Sequence, residues 1–506
     1  MKIGLYLACY PELIDDWNYT LPPLGLGYLA SYVKKYVGGV EFVIARDVDE
    51  LIAARPDLVG ISFVTYNASI AARHAKKIKE ALGVPVLCGG PHVSTLPILD
   101  PAFDVAVLGE GEETFAELVR LFIAEKRFEP GSLAKVSGII YRDESGAAVT
   151  TPPRPMIKDL DSIPYPDRAL MHERWNRPGR EAQIMTSRGC PYDCAFCSTV
   201  AFWGTAYRCP SIEYVVGEIE QLRREYDPKI IHIYDDLFTV RKDRVIGLLR
   251  MIRERGLSEG VRFTCFVRSN LLDDEVMEAF ARTGFDVLNI GFESASDEML
   301  KVYNKKSANA GKNQQVIDIG RKHGVRYSSC FIMGGPGERR EDIVATFDFI
   351  ASNIAQLRYV EFSPLQIFPG TDMWRRVKEM GLRDENNMAG IVIEPEDLAS
   401  ERDFYMTRWP YLNEANISRE EFYAYLQMGH ALARAVWSFH DVREAGERRE
   451  RDLCRPESIA EKVALTDIIQ AKTRRRLRKI MPMGEWMHPW DAEGETAKRR
   501  IDKDKS

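Results

Sequence analysis

The sequence predicts an α/β fold in three parts: an N-terminal doubly wound sheet, a partial (β/α)6 barrel and a mostly helical C-terminal domain. Two series of short apolar runs predict the two sheets, because each run ends at a turn-forming or acidic residue and amphipathic stretches follow most of them. The loss of such runs after about residue 381 predicts the helical part. At 506 residues the chain exceeds one hydrophobic core, and 45% hydrophobic residues can pack several.

The N-terminal domain is assigned to residues 1–135. Its strand candidates are KIGLYLA, VEFVIA, LVGISFV, VPVLCGG and VAVLGEG, with helical patterns such as GLGYLASYVKKYV and SIAARHAKKIKEAL between them. Strands that alternate with helices pair in parallel through right-handed crossovers, which predicts a Rossmann-like sheet. Such a sheet binds ligands at the carboxyl ends of its strands.

Residues 136–180 are interpreted as a strand pair, VSGIIYR and AAVTT, followed by a proline-rich linker between domains. Proline removes a backbone donor and stiffens an extended segment, so the run TTPPRPMIKDLDSIPYPDRAL is not expected to form helix or central strand.

The barrel is assigned to residues 181–380 and the helical domain to 381–506. Six strand candidates precede helix-like sequence, and chemistry is expected at their C-terminal ends. They are QIMTS, KIIHIYDDLFT, VRFTCFVRSN, VLNIGFES, RYSSCFIMGGPGE and VEFSPLQIFPGT. The helical domain includes REEFYAYLQMGHALARAVWSFHDV and DIIQAKTRRRLRKI.

Composition restricts the function. A formal net charge of -6 argues against a general nucleic-acid binder, so a small molecule or a single partner protein is expected. No apolar run is long enough for a transmembrane segment, and the N-terminus turns acidic too soon for a secretory signal. LYLAC is interpreted as a buried strand, with a lipoprotein cleavage site as the weaker alternative. Nine cysteines, three of them clustered, indicate reduced thiols, a metal site and a cytoplasmic location.

The clustered cysteines lie in SRGCPYDCAFCSTV, which has the spacing CxxxCxxC. Three thiolates from one loop can each bind one iron of a cubane cluster, and the fourth iron then stays open to a chelating ligand. The alternative is a zinc knuckle, which would need a fourth protein ligand; Cys209 is the near candidate.

This loop, with Phe196 before its last cysteine, resembles the cluster loop of the radical S-adenosylmethionine (SAM) superfamily, and the similarity extends over about residues 181–380. The resemblance implies that Cys190, Cys194 and Cys197 hold a 4Fe-4S cluster whose open iron binds SAM. Electron transfer then cleaves SAM to a deoxyadenosyl radical.

Further motifs follow in the order of that superfamily. IYDDLFT stands in place of its glycine-rich motif, but two aspartates replace the usual Gly-Gly-Glu, which leaves the role of each aspartate open. A lone Glu or Arg at a strand end is often a structural ion-pair member, but the order of the motifs favours SAM contacts, Glu293 first. The implied contacts are Phe196, Asp235, Asp236, Arg268, Asn270, Glu293, Ser294, Gly334, Gly335 and Gly337.

The segments LPPLGLGYLASYV and GGPHVSTLPILDPAFDVAVLGEGEETF resemble the cobalamin-binding domains fused to radical SAM enzymes, over about residues 1–122. GGP allows close approach of a flat ring, and GEGEET places free amides at a helix start. The implied cobalamin contacts are Thr65, Gly89, Gly90, Gly109, Glu110 and Gly111.

One departure concerns the cobalt ligand. The DxHxxG motif of many corrinoid proteins is absent, so His92 is interpreted as a loop histidine and the lower face of cobalamin as lacking a protein imidazole. Cobalt ligation by His92 is the alternative, and an empty structural module is the alternative for the domain.

The resemblance implies a cobalamin-dependent radical SAM enzyme that methylates an unactivated carbon of a small molecule, with SAM as radical source and methyl donor. It also implies an electron donor such as flavodoxin or ferredoxin. The alternative is oxidative ring closure, as in relatives of the anaerobic magnesium-protoporphyrin ester cyclase, or another rearrangement without methylation. From another class, a corrinoid carrier or an iron–sulfur redox sensor is considered. A methylthiotransferase would need a second N-terminal cysteine triad, which the chain lacks.

No catalytic residue is assigned. The other cysteines (Cys9, Cys88, Cys265, Cys330 and Cys454) are interpreted as buried small side chains, and Cys330 as a hydrogen donor only if it faces the barrel lumen. TRRRLRKI is interpreted as a solvated helix face, and IMPMGEWMHPW as a segment that docks the tail on the barrel.

Overall fold

The computed structural model describes residues 1–9, 22–171 and 181–451. The interpretations of Cys454, of TRRRLRKI and of IMPMGEWMHPW lie outside these residues. In the described part, no helix is long and apolar enough to cross a membrane.

The N-terminal sheet has seven strands in the order β2-β1-β3-β4-β5-β6-β7, and the first five of these are parallel. The strands are β1 (Lys2–Leu7), β2 (Glu41–Ala45), β3 (Leu58–Ser62), β4 (Val86–Gly89), β5 (Val105–Val107), β6 (Ile139–Arg142) and β7 (Ala148–Thr150). The strand order reverses between β1 and β3, which is where a doubly wound sheet opens a crevice at its carboxyl edge. The predicted Rossmann-like sheet is therefore confirmed.

Six helices connect these strands and cover both faces of the sheet. They are α1 (Leu24–Tyr36), α2 (Val48–Ala53), α3 (Ala68–Leu82), α4 (Pro91–Thr95), α5 (Gly111–Glu125) and α6 (Pro130–Leu133). Two separate apolar clusters, one on each face, hold the layers together; Leu118 and Val119 lie in one and Ala71 and Ala75 in the other.

The hairpin β6–β7 lies in the same sheet rather than in a separate linker unit. Val105 in β5 is the antiparallel partner of Tyr141 in β6, and β7 then pairs with β6. All three residues of β5 are buried, so without the hairpin a short apolar strand would form an exposed sheet edge. Division of the domains at residue 135 would separate β6 from its partner.

The second sheet has six parallel strands in sequential order, β8 to β13, so the predicted partial (β/α)6 barrel is confirmed. The strands are β8 (Glu181–Ile184), β9 (Ile230–Ile233), β10 (Arg262–Val267), β11 (Val287–Glu293), β12 (Arg326–Met333) and β13 (Leu357–Pro364). Alternate residues face the helices: Val360 and Phe362 are buried, whereas Tyr359 and Glu361 are exposed on the concave face.

Eight helices follow or flank these strands, and side-chain caps define where several of them begin. They are α7 (Ser198–Trp203), α8 (Ile212–Tyr226), α9 (Lys242–Glu254), α10 (Asp274–Arg282), α11 (Asp297–Val302), α12 (Ala310–His323), α13 (Arg340–Ser352) and α14 (Asp372–Glu379). The caps Ser211, Asp273 and Asn309 each accept a hydrogen bond from a first-turn amide.

Two further helices, α15 (Glu401–Asp403) and α16 (Arg419–Arg451), form the described C-terminal part, and a π-helical turn at Phe404–Arg408 follows α15. Helix α16 packs along the edge strand β13, where a Cβ on Gly429 would lie 2.8 Å from the Phe362 ring. His440 Nε2 lies 2.9 Å from the carbonyl oxygen of Ile354. The predicted helical character therefore holds for this part of the chain.

Candidate cofactor sites at the strand ends

The three clustered cysteines lie between β8 and α7, at the C-terminal end of the first barrel strand. Cys197 occupies the N-cap position of α7, and its amide donates to the carbonyl of Cys194 at 3.0 Å. The amide of Ala195 donates to the carbonyl of Tyr303, and the carbonyl of Ala195 accepts from Met373. The loop is therefore held from two sides of the barrel.

Asp235 and Asp236 fix the other side of this loop. Asp235 is buried and accepts three hydrogen bonds of 2.6 Å, from the amide and hydroxyl of Thr186 and from the Ser187 hydroxyl. Asp236 accepts from the amide of Gly189 and from the hydroxyl of Thr199, each at 3.0 Å. Burial raises the pKa of both carboxyls. These hydrogen bonds position the loop, and SAM contact by the two aspartates stays a prediction.

Arg268 lies against the cysteine loop at the end of β10. Its Nη1 is 3.3 Å from Cys194 Sγ, and its guanidinium stacks on the Tyr192 ring at 4.0 Å. Asn270 accepts from Arg268 Nε at 2.7 Å and donates to the Tyr192 hydroxyl at 2.9 Å. The structure thus brings both predicted residues to the loop.

Glu293 ends β11 with a φ of 61°, a left-handed conformation that is uncommon for a residue other than glycine. Its carboxylate is buried and forms an ion pair of 2.5 Å with Lys305, whose ammonium also donates to the carbonyl of Gly291. Backbone strain of this kind clusters at functional sites. Ser294 is also engaged within the chain, because its hydroxyl lies 3.3 Å from the Thr346 hydroxyl and accepts from the amide of Ser296.

The glycines after β12 have different surroundings. A Cβ on Gly334 would lie 2.8 Å from Trp409, and one on Gly335 would lie 2.5 Å from the Tyr303 hydroxyl, so both glycines permit close side-chain packing. Gly337, with a φ of 78°, has open space beside it. Tyr303 also meets the ring of Phe196 edge to face, at 5.7 Å between centroids.

Cys330 lies on the concave face of the barrel. Its Sγ is 3.6 Å from the hydroxyl of Ser363 on β13, and Tyr327 and Phe331 of the same strand face the helices instead. Burial raises the pKa of this thiol to about 12. The condition for a hydrogen-donor role, a position facing the lumen, is met; the role itself stays a prediction.

A cavity of ≈ 210 Å³ lies at the carboxyl edge of the N-terminal sheet. Its walls come from the ends of β1, β3, β4 and β5 and from α1, and the barrel closes it with Met185, Arg188, Phe202 and Trp203. Five of the six predicted cobalamin contacts line it: Gly89, Gly90, Gly109, Glu110 and Gly111. Thr65 lies outside this lining.

Two glycines of this cavity leave space that a ligand can occupy. Beside Gly25 and Gly109, where side chains would project, no atom lies within 4 Å. Gly90, by contrast, has a φ of 98°, and a Cβ there would meet the Ser62 hydroxyl at 2.6 Å. The apolar walls and the backbone at the strand ends suit the tail of a cofactor rather than the whole of it.

Glu110 lines the cavity, but its carboxylate also forms ion pairs with residues of the barrel. Its carboxylate pairs with Arg188 at 2.6 Å and with Arg208 at 2.9 Å, and Glu112 pairs with the second nitrogen of Arg188 at 2.6 Å. All four side chains are largely buried. The sequence motifs did not reveal this network, because its two halves lie far apart in the chain.

His92 lies beside the cavity in the short helix α4, which follows β4. Its Nδ1 is 3.2 Å from the Thr65 hydroxyl and its ring packs against Phe63, and burial lowers its pKa to about 4. His92 was interpreted as a loop histidine, but the structure places it in a short helix; its role toward cobalt stays a prediction.

The donor set of the cysteine loop fits an iron–sulfur cubane. Three thiols from one loop can bind three separate irons, and all eight cysteines of the described residues are free. In that same part of the chain, no three Cys, His, Asp or Glu side chains converge on a single metal ion.

The fold and these two sites define a class of enzyme. In this class, a cysteine loop that suits an iron–sulfur cluster lies on a partial barrel, next to the ligand cavity of a doubly wound domain. The model of the radical SAM superfamily matches residues 184–350, and that of the B12 binding domain matches residues 13–119.

An uncharacterized methyltransferase of Pyrococcus horikoshii, PH0819, is 35% identical over 70% of this chain and 78% of its own length. The anaerobic magnesium-protoporphyrin IX monomethyl ester cyclase of Rubrivivax gelatinosus is 29% identical over 66% of this chain and 62% of its own. The structure of TsrM, a radical SAM methyltransferase of Kitasatospora setae with cobalamin and a [4Fe-4S] cluster bound, aligns with a TM-score of 0.64 at 21% identity. It covers 82% of this chain and 85% of TsrM.

The chain belongs to the family of cobalamin-dependent radical SAM enzymes. Its cofactors are accordingly a 4Fe-4S cluster, SAM and cobalamin.

Proposed function

We propose that the protein methylates an unactivated carbon of a small-molecule substrate. The observation that carries this proposal is the shared wall of the two sites. Arg188, Phe202 and Trp203 line the cavity of the N-terminal sheet, and Cys197 begins the helix that carries Phe202 and Trp203. A radical source and a methyl carrier placed side by side is what such a reaction needs.

When bound, the cluster and SAM supply a deoxyadenosyl radical that abstracts hydrogen, and cobalamin supplies the methyl group. Cys190, Cys194 and Cys197 would hold the cluster, with Asp235 and Asp236 positioning their loop. Among the predicted SAM contacts, Phe196, Asn270, Glu293 and Gly337 lie at or near the strand ends that face this loop.

The cavity would hold the tail of cobalamin. Gly109 and Gly25 leave space for it, and Leu29, Phe202 and Trp203 exclude water from it. Glu110 would act mainly by holding Arg188, since the two arginines that pair with its carboxylate, Arg188 and Arg208, belong to the barrel.

The substrate would lie on the concave face of the barrel. This face presents the polar side chains of Cys330, Glu361 and Ser363 from neighbouring strands, beside the exposed ring of Tyr359. Polar groups that converge from two strands orient a small molecule, and their positions toward the strand ends bring it near the cysteine loop.

An electron donor such as flavodoxin or ferredoxin would reduce the cluster, and the free thiols support a cytoplasmic location.

The test is a cofactor assay under anaerobic conditions. The protein is reconstituted with iron, sulfide and hydroxocobalamin, given SAM and dithionite, and assayed for 5′-deoxyadenosine and S-adenosylhomocysteine by mass spectrometry. Both products support methyl transfer, and a Cys197→Ser variant loaded with cobalamin should yield no deoxyadenosine. Deoxyadenosine alone would favour ring closure or another outcome without methylation, and neither product with an intact cluster would contradict the proposal.

A further inference from the structure

Arg268 is a buried cation whose described contacts include no carboxylate. It is 6% exposed, and its guanidinium donates hydrogen bonds to Cys194 Sγ, Asn270 Oδ1 and the carbonyl oxygen of Lys306. Within the described residues no ion pair is formed by its guanidinium. A buried charge without a counter-ion is costly, so the position calls for an anion that is part of the finished site.

The guanidinium is also held in one orientation. Nε donates to Asn270 at 2.7 Å and Nη2 to the carbonyl of Lys306 at 2.7 Å, while the plane of the group stacks on the Tyr192 ring. Tyr192 is itself fixed, because its hydroxyl accepts from Asn270 at 2.9 Å. The remaining nitrogen, Nη1, is thereby directed at Cys194 Sγ, 3.3 Å away.

A sulfur that accepts a hydrogen bond from a cation changes the energy of any cluster it binds. Hydrogen bonds to the sulfurs and the local net charge are two of the main determinants of iron–sulfur reduction potentials. A cubane with three thiolate ligands is anionic, and reduction adds one more negative charge. A fixed positive charge beside one thiolate therefore stabilises the reduced form more than the oxidised form.

We propose that Arg268 is a positioning residue of the cluster that raises its reduction potential through the hydrogen bond to Cys194. This role differs from the SAM contact that the family resemblance implies for Arg268, because it operates before SAM binds. It rests on the ligation of the cluster by the three cysteines, which iron and sulfide content tests separately.

The experiment measures the midpoint potential of the reconstituted full-length protein without SAM, from the EPR signal of the reduced cluster at a series of poised potentials. Arg268→Gln keeps a hydrogen-bond donor but removes the charge. We expect its equilibrium constant for reduction to fall about tenfold or more, which is a drop of about 59 mV for each factor of ten in a one-electron couple.

Two further variants make the result specific. Arg321→Met removes an exposed positive charge that pairs with Asp318 at the end of α12 before β12, the opposite end of the barrel from the cysteine loop, so the potential should stay at the wild-type value. Arg268→Lys keeps the positive charge but lacks the planar guanidinium that holds several hydrogen bonds at once. The midpoint potential of the cluster in this variant should lie between those of the wild type and of Arg268→Gln.

An Arg268→Gln protein with full iron and sulfide content and an unchanged potential would overturn the proposal. If the Gln variant does not hold a cluster, Arg268→Lys decides the matter, because a wild-type potential in that variant would also overturn it. A potential that changes only after SAM is added would instead assign Arg268 to the SAM carboxylate.

Discussion

Arg188 Nη1 lies 2.6 Å from Glu110 Oε1, and this buried ion pair joins the residue two positions before Cys190 to the N-cap of helix α5. Glu112 forms an ion pair with Nη2, the second terminal nitrogen of the same guanidinium. One arginine of the barrel is therefore shared by two carboxylates of the N-terminal sheet domain. The contact fixes the cluster loop relative to the cavity wall.

Replacing Arg188 with Met should destabilise the protein by about 3 to 5 kcal/mol, because the buried carboxylate of Glu112 loses the cation with which it pairs. Urea unfolding of the wild-type and variant proteins measures this difference. The exposed pair of Arg46 and Glu50 offers the control, where Arg46→Met should cost no more than about 1 kcal/mol. Equal losses in the two variants would contradict the assigned role.

Serine at Cys190, Cys194 or Cys197 should prevent assembly of the cluster, because each thiolate is expected to bind a separate iron. Iron and sulfide content after anaerobic reconstitution, with the visible absorbance, gives the result. Cys209→Ser is the matched control and should keep wild-type iron. Loss of metal in that control would revive the zinc alternative, in which Cys209 supplies the fourth ligand.

Gly25→Leu should weaken cobalamin binding about tenfold or more without unfolding the protein. Gly25 lies in the first turn of α1 and lines the cavity, and no atom lies within 4 Å of a Cβ built there. A leucine therefore fits the helix but enters the space for the ligand. Hydroxocobalamin binding is measured by equilibrium dialysis.

Gly131→Leu provides the comparison for this cavity, because Gly131 has equally open surroundings on α6 but lies away from the cavity lining. Binding should be unchanged in that variant. If the two variants bind cobalamin equally well, the cavity is not the cobalamin site.

His92 should make the protein less stable as the pH falls. Its folded-state pKa of about 4 is below the ordinary value of about 6.5, so the unfolded chain binds more protons between these values. The stability that neutral His92 contributes is complete above about pH 6.5 and is lost as the pH falls toward 4, by up to about 3 kcal/mol. Unfolding free energies at several pH values, compared with His92→Gln, isolate this contribution. Identical pH profiles for the two proteins would show that the imidazole is not buried.

Glu293→Gln should weaken SAM binding about tenfold or more, if the strained residue at the end of β11 contacts SAM as the sequence suggested. Isothermal titration of the reconstituted protein with SAM measures the effect. Glu298→Gln removes a carboxylate that pairs with Lys301 on the exposed side of α11, and should leave the affinity unchanged. An unaltered Kd in Glu293→Gln with a full cluster would remove Glu293 from the predicted SAM contacts.

The sequence predicted both sheets well because their signals are local. Each strand of the barrel is an apolar run with its own stop signal, and the cysteine spacing lies within a single loop. The hairpin β6–β7 was recognised as a strand pair, but its pairing with β5 depends on a contact between residues more than thirty positions apart.

The motifs did not predict which side chains contact each other at the two sites. The pattern IYDDLFT places two aspartates at a strand end, yet does not reveal that they accept bonds from Thr186, Ser187 and Gly189. The Glu110 network links residues 78 and 98 positions apart, so no window of the sequence contains both charges. Its signals in the sequence were two acidic residues at the start of α5 and an arginine two positions before the first cysteine.

Because Met185, Arg188, Phe202 and Trp203 complete the cavity of the N-terminal sheet, the two units are not interchangeable modules. A chimera that took its first 170 residues from a relative would combine the cavity of one protein with barrel residues of another. Arg188 would then face residues of the relative in place of Glu110 and Glu112. Evolution within this architecture must therefore alter both sides of the boundary together, and a successful domain exchange has to include the segment from β8 through α7.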